Sequence, residues 1–353
     1  MRRISLVFMT IICAVAVVTG ICRSEEVTII SADPQAKIAY NNPAWSPDGR
    51  SLAFVAIPYQ EAPNDSTGGN TGKSIYLATP VGGSWKTKLV AKGADWPVWS
   101  FHGKQLAFNR HGLAIMTLST GSVKVLMGDR YDAAKELISL RYPLSWSPLG
   151  RYLLCGDLRE YGGLYADVLD LKKGGIVALK VGADAFWMSS SKLLSAIWTG
   201  TEAAPGGKLL ISDYASGSSR ALLDGRVSHS PFVPKGASYA WVWIAVNPPK
   251  GEGIYRVDLK TGALTKQTAL HAKELYWSPD GKQFAFIADW SPRACVETLS
   301  CVYLGSTQNW QFKIVSKNAI KGADPSHTHL AWRPNGSSFA YVTADGSISV
   351  LKP

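Results

Sequence analysis

Few residues in this 353-residue chain have both the type and the spacing to do chemistry. His327-Thr328-His329 places two imidazoles on one side of a predicted strand, and Asp289 and Asp324 are the carboxylates that would have to join them. A metal needs three or four such donors at defined spacing. No third ligand falls at one, so the pair reads as packing or loop histidines, and no metal or other cofactor is expected. Asp157, Glu160 and Asp289 stand at the ends of predicted loops. Two carboxylates facing each other across a cleft would suit cleavage of a glycosidic bond. The chain has no Gly-x-Ser-x-Gly nucleophile turn, no Cys-x-x-Cys pair and no Gly-rich phosphate loop opening a helix.

The elements that must hold these residues are strands. Short runs of Val, Ile, Tyr, Phe and Trp are broken by Gly, Pro, Asp and Ser, and long Ala/Glu/Lys/Leu stretches are absent. That pattern reads as all-β. Residues 1–24 read as a secretory signal: Arg2 and Arg3, an uncharged run from Ile4 to Ile21, then small and polar residues before Glu25. The run also nearly reaches the length of an uncleaved anchor. A periplasmic or secreted location follows, with residues 25–353 as one domain. Loss of Arg2, Arg3 and Arg23 takes the net charge from +11 to +8. Export excludes nucleic acid as the partner of that charge and leaves an envelope protein or an anionic envelope polymer, with membrane contact peripheral at most and the protein a monomer. Cys295 and Cys301 are spaced for a disulfide clipping a short loop, whereas Cys155, in the apolar run "RYLLCGD", reads as a buried thiol.

"NPAWSPDGRSLAFVA" (42–56) and "ELYWSPDGKQFAFIA" (274–288) are near-copies. Further copies surround Trp99, Trp146 and Trp332, and degenerate ones surround Trp187 and Phe232. The landmarks Trp45, Trp99, Trp146, Trp187, Phe232, Trp277 and Trp332 are then 41 to 55 residues apart, the length of a propeller blade. Each unit has an apolar strand ending at the landmark, a Ser-Pro-Asp-Gly type turn, an alternating return strand, and two more strands. Seven four-stranded blades are expected, with six as the alternative. The last unit supplies only three strands, so residues 27–31 ("VTIIS") are predicted to complete it beside 347–352. Val27, Ile29 and Ser31 should face one side of that strand and Thr28 and Ile30 the other.

The repeat resembles the TolB-type propeller family of bacterial periplasmic proteins, a grammar shared with prolyl-oligopeptidase and dipeptidyl-peptidase propellers. The resemblance covers about residues 25–353 and is strongest around Trp45 and Trp277. It implies a propeller. The α/β domain of TolB has no counterpart in the roughly 20 residues before Trp45, so a TolB–Pal partnership does not carry over.

The grammar sorts the loops onto two faces. The Trp-Ser-Pro hairpins share one face, with a cation at or beside each turn: Arg50, Lys104, Arg151, Lys192, Lys235, Lys282 and Arg333. The longer, varied loops share the other, where binding usually resides. Tyr59, Asp157, Arg159, Tyr161, Asp289, Trp290, His327 and His329 are the ligand-binding candidates there. The expectation is a non-catalytic binding or scaffolding protein of the cell envelope. The alternative is an envelope hydrolase or lyase using carboxylates at the propeller funnel.

Overall fold

In a computed structural model, the described residues are 25–58, 72–131, 137–157, 165–199, 206–225, 227–246, 249–270, 272, 274–288, 300–319 and 328–353. They form seven four-stranded antiparallel sheets following one another around a ring. The first strands of the blades are Ile38–Trp45, Asp95–Trp99, Arg141–Trp146, Asp184–Trp187, Val227–Phe232, Glu274–Trp277 and Leu330–Trp332. Every one ends at a landmark aromatic. The second strands are almost wholly apolar and buried, as in Leu52–Pro58, Gln283–Ala288 and Phe339–Val342. Both faces of such a strand pack on neighbouring blades, so no polar alternation survives there.

The hairpin turns repeat because their chemistry does. In blade one the Ser46 hydroxyl donates to Asp48 Oδ1 at 2.5 Å, Arg50 N–H donates to the same oxygen at 3.0 Å, and Gly49 takes φ 67°. Blade six copies it, with the Ser278 hydroxyl and the Lys282 N–H donating to Asp280 Oδ1 at 2.7 and 3.0 Å. Gly281 is required twice over. Its φ is +69°, and a Cβ there would lie 2.8 Å from the Phe232 ring of the preceding blade.

The landmarks join the blades through a relay of indole hydrogen bonds. Trp99, Trp146 and Trp332 Nε1–H donate to the carbonyls of Ala44, Val98 and Tyr276, each just before the previous blade's landmark. Trp277 donates to Ser230 O at 2.7 Å, and Trp187 to the Ser145 hydroxyl at 3.1 Å. Blade five departs from the pattern: Phe232 pairs with Trp241, whereas Trp277 pairs with Phe284 across a turn two residues shorter. Phe232 has no N–H to give and stacks on Trp277 instead, centroids 5.8 Å apart. Trp45 Nε1 is buried without a partner among the described residues, and the Arg333 guanidinium lies 4.4 Å over its ring.

The ring closes where the strand count requires. Glu25–Ile30 is the outer strand of blade seven, antiparallel to Ile348–Lys352. Strict alternation fails there, because the register slips between Thr28 and Ile30. Ile30 is buried, Ile29 half-buried and Val27 exposed. The slip lets Ile30 reach the core while Thr28 bonds Ser349 side chain to side chain. Cys155 is buried and reduced, and burial pushes its thiol up to about 12. Cys301 is buried, and Cys295 lies outside the described residues, as do 1–24. No helix among the described residues is long and apolar enough to cross a membrane.

Candidate functional site at the channel mouth

Polar residues stand in the part of five first strands nearer the long-loop face: Asp95, Arg141 and Asp184 at the first position, His229 at the third and Asn41 at the fourth. Three of these strands bulge at a left-handed residue directly before proline: Asn42 (φ 50°), Trp96 (φ 53°) and Ser230 (φ 47°). Such backbone costs about 1–3 kcal/mol per residue and concentrates at functional sites. The preceding side chain supports two of the three, with Asn41 Oδ1 accepting Asn42 N–H at 2.8 Å and Asp95 Oδ1 accepting Trp96 N–H at 2.7 Å.

Three polar clusters follow around the mouth. Between blades seven, one and two, Thr328 N–H donates to Asn42 Oδ1 and Asn42 Nδ2 donates to Asp95 Oδ1, both at 2.8 Å. Lys73 reaches Asp95 Oδ2 at 3.0 Å and lies 5.6 Å over the Trp96 ring. Below this cluster a cavity of about 370 Å³ is lined by Pro43, Trp45, Trp96, Pro97, Trp99 and Tyr142 among others. In blade three, the Arg141 guanidinium bridges Asp157, 3.2 Å from Nε, and Asp167. Ser139 Oγ and Leu140 N–H also donate to Asp157. Burial alone would make Arg141 less basic, but the two carboxylates outweigh it and hold the guanidinium above its usual range. All three side chains are buried, and a buried charge needs this many partners. Beside them, burial raises the Asp129 carboxyl despite hydrogen bonds from Arg141 N–H and Asn109.

The third cluster is open to solvent. His229 Nδ1 and Asp184 Oδ2 are 2.7 Å apart across blades four and five, with side-chain exposures of 34% and 47%. Trp243, cross-strand from His229, packs against the imidazole at 5.3 Å. Burial pulls the His229 pKa down, but the Asp184 hydrogen bond and charge more than reverse it, so the ring is more basic than usual. A carboxylate on Nδ1 fixes the tautomer that leaves Nε2 with its lone pair.

Of the eight sequence candidates, six lie outside the described residues: Tyr59, Arg159, Tyr161, Asp289, Trp290 and His327. Asp157 is fully buried against Arg141 and His329 is 1% exposed, so neither side chain is presented to solvent. Neither His229 nor Asp184 was a candidate. They are 45 residues apart in sequence, one blade period, and that spacing is the one signal that could have paired them. On the hairpin face, Arg151, Lys192 and Lys282 pair with Asp170, Asp213 and Asp280, and Arg333 lies on Trp45.

No family model matches the chain, and no curated protein matches it in sequence. Solved propellers match it throughout. An oligogalacturonate lyase in complex with manganese is similar at 12% identity and TM-score 0.63, over 94% of this chain and 98% of that one. The oligogalacturonate lyase of Vibrio parahaemolyticus is similar at 12% identity and TM-score 0.65, over 93% and 97%. The C-terminal WD40 domain of Sif2 is similar at 14% identity and TM-score 0.51, over 93% and 99%. These likenesses establish the class, a seven-bladed β-propeller. They also correct the expectation of a non-catalytic binding or scaffolding module. That expectation rested on the lack of a nucleophile turn, a metal-ligand set and a phosphate loop in the sequence, yet two of the three similar propellers are oligogalacturonate lyases, matched over 98% and 97% of their chains.

Proposed function

We propose that the protein is an extracytoplasmic lyase acting on fragments of an anionic, uronate-containing polysaccharide, with His229 at the channel mouth as the base. The observation that carries the proposal is the solvent-open His229–Asp184 pair on a propeller similar, over nearly all of its length, to two oligogalacturonate lyases. The polymer that the net positive charge led us to expect as a partner becomes the substrate. The secretory start of the sequence puts the enzyme in the periplasm or outside the cell, and the Trp-Ser-Pro-Asp-Gly turns suggest kinship with TolB-type propellers, which the proposal does not require.

A uronate lyase removes the proton on the carbon bearing the carboxylate, expels the glycosidic oxygen from the next carbon, and leaves a carbon–carbon double bond. The base must be neutral, close to its working pH and held in one orientation. His229 has Asp184 on Nδ1 and Trp243 against its ring, which meets the third condition, and the raised pKa bears on the second. The proton gained at Nε2 is stabilised by Asp184 and is available to the leaving oxygen. Of the carboxylates first considered as catalytic, Asp157 is consumed by Arg141, and Glu160 and Asp289 lie outside the described residues. Manganese accompanies one of the similar lyases. Among the described residues no three His, Cys, Asp or Glu side chains converge to hold such an ion. The described residues by themselves do not fit it, and no step is routed through a metal.

Incubation of residues 25–353 with oligogalacturonate and other oligouronates tests the reading. The expected result is an ultraviolet band from the unsaturated product, lost in His229→Ala. Activity should fall as pH drops through the raised His229 pKa. Asp184→Asn lowers that pKa and should extend the acid limb to lower pH while reducing the maximum. New reducing ends without the ultraviolet band would mean hydrolysis and overturn the lyase reading, as would full activity in His229→Ala.

A further inference from the structure

The turn from first to second strand breaks its own grammar in two neighbouring blades. In blade one, the acid of Ser46-Pro47-Asp48-Gly49 accepts from the Ser46 hydroxyl and from Arg50 N–H. Blade two reads Ser100-Phe101-His102-Gly103 and blade three Ser147-Pro148-Leu149-Gly150, so His102 and Leu149 stand where the acid was. Leucine can accept neither bond. Leu149 takes φ 68° instead, a left-handed region that favours glycine and asparagine, and is 69% exposed. Phe101, where the blade-one turn has proline, is 53% exposed. Phe101 and Pro148 also line a recess of about 370 Å³ with Trp99, Trp146, Phe186 and Trp187. Large apolar side chains at turn tips, one of them in a disfavoured backbone conformation, add little to packing. Local rules broken without a structural gain mark functional surfaces.

The charges around these tips are one-sided. Leu118 N–H donates to Lys104 O and Leu171 N–H to Arg151 O, so the third-to-fourth turns of both blades lie on the same face as the hairpins. Lys104, Lys172 and Lys173 are exposed there, and none forms an ion pair among the described residues. Asp170 is the one acid in or beside these four turns. It is buried and held by Arg151 at 2.9 Å.

We propose that this sector of the hairpin face docks on an anionic lipid surface, with Phe101 and Leu149 entering the interface and Lys104, Lys172 and Lys173 meeting the head groups. Apolar burial and charge attraction add in such a contact. The point where the chain enters the ring chooses lipid over another protein. Glu25 pairs with Lys352, at the end of the third strand of blade seven, so the closing strand starts from the hairpin face. Only Cys22, Arg23 and Ser24 separate Glu25 from the uncharged run Ile4–Ile21, the segment read as a secretory signal or anchor. A run retained in the bilayer would hold this same face against it. The mouth, with His229 and Asp184, then points away from the lipid. The docking surface is independent of the mouth and of the lyase reading.

Residues 25–353 hold all seven blades and the closing strand and leave out the apolar run, so they test the face by itself. They are sedimented with vesicles of equal parts phosphatidylglycerol and phosphatidylcholine, and with vesicles of phosphatidylcholine alone. Binding is expected to the first, and binding at least about tenfold weaker to the second. Phe101→Ser with Leu149→Asn changes no charge, and asparagine accepts the left-handed turn. That double variant should bind at least about tenfold more weakly with its melting temperature unchanged or raised. Lys104→Gln should weaken binding about fivefold, and Lys250→Gln, on the long-loop face, should leave it unchanged. No sedimentation with anionic vesicles, equal binding to both kinds of vesicle, or undiminished binding of the double variant would overturn the proposal. So would a loss in Lys250→Gln as large as that in Lys104→Gln. A dimer in sedimentation velocity that the double variant dissociates would assign the patch to a second copy and overturn it as well.

Discussion

The landmark aromatics look alike in sequence but do not do the same work. Trp277 gives its indole N–H to Ser230 O and is packed by Phe232, Trp241 and Phe284. Trp45 buries its N–H without a partner among the described residues and carries Arg333 on its face. A buried donor without an acceptor costs about 1–3 kcal/mol, whereas a made hydrogen bond contributes roughly 1 kcal/mol net. Trp277→Phe should therefore destabilise the protein by at least about 1 kcal/mol more than Trp45→Phe, since only the first loses a bond while both lose similar ring area. Urea unfolding of the two variants measures this. Equal losses would mean that the indole relay adds nothing to the packing. His229 and Asp184 belong to the same scale: neither residue has a motif, and their pairing exists only because two strand starts meet.

At the scale of the element, the Ser-Pro-Asp-Gly hairpins were fully legible, because turn chemistry is local. Asp48 and Asp280 are held below the usual carboxylate range, led in Asp48 by the Ser46 hydrogen bond and in Asp280 by hydrogen bonds that outweigh burial. The strand starts were not legible. Their bulges at Asn42, Trp96 and Ser230 depend on what the neighbouring blade offers, and period-2 reasoning carries no sign of them. The loop after Ala288 carries a further expectation. We expect Cys295 to bond Cys301, closing so small a loop that the gain is only about 2–3 kcal/mol and local to blade six. Peptide mapping without reduction should recover the two cysteines linked. Recovery of two alkylated thiols would remove the clip.

For the whole molecule, the decisive contact joins residues more than 300 apart in the chain. Glu25–Ile30 pairs with Ile348–Lys352, Glu26 accepts from the Tyr341 hydroxyl, and Lys352 meets Glu25 at 2.7 Å. Asn42 and Thr328 add a second tie, between blade one and blade seven. Deleting residues 25–30 leaves Ile348–Lys352 as an open edge with buried Leu351 and Val350 behind it. The deletion should lower the melting temperature by several degrees and produce association visible in sedimentation velocity, through the edge it exposes. A monomer of unchanged stability would show that the Asn42–Thr328 side of the junction closes the ring alone.

The sequence by itself determined the architecture. Seven landmarks at blade spacing, a turn whose residues bond one another, and a final unit one strand short together specify seven blades and the strand that closes them. These signals are local or periodic, and each copy repeats the evidence. The tertiary structure alone decided the chemistry at the mouth. It buried Asp157 against Arg141 and His329 beside Tyr276 of the preceding blade, and it left His229 and Asp184 open. Arg141 becomes a structural ion pair because two carboxylates of its own blade meet it, and His229 a solvent-open base because the adjacent blade brings it only Asp184. Those distances are set by sheet pairing and blade packing, which no stretch of sequence contains.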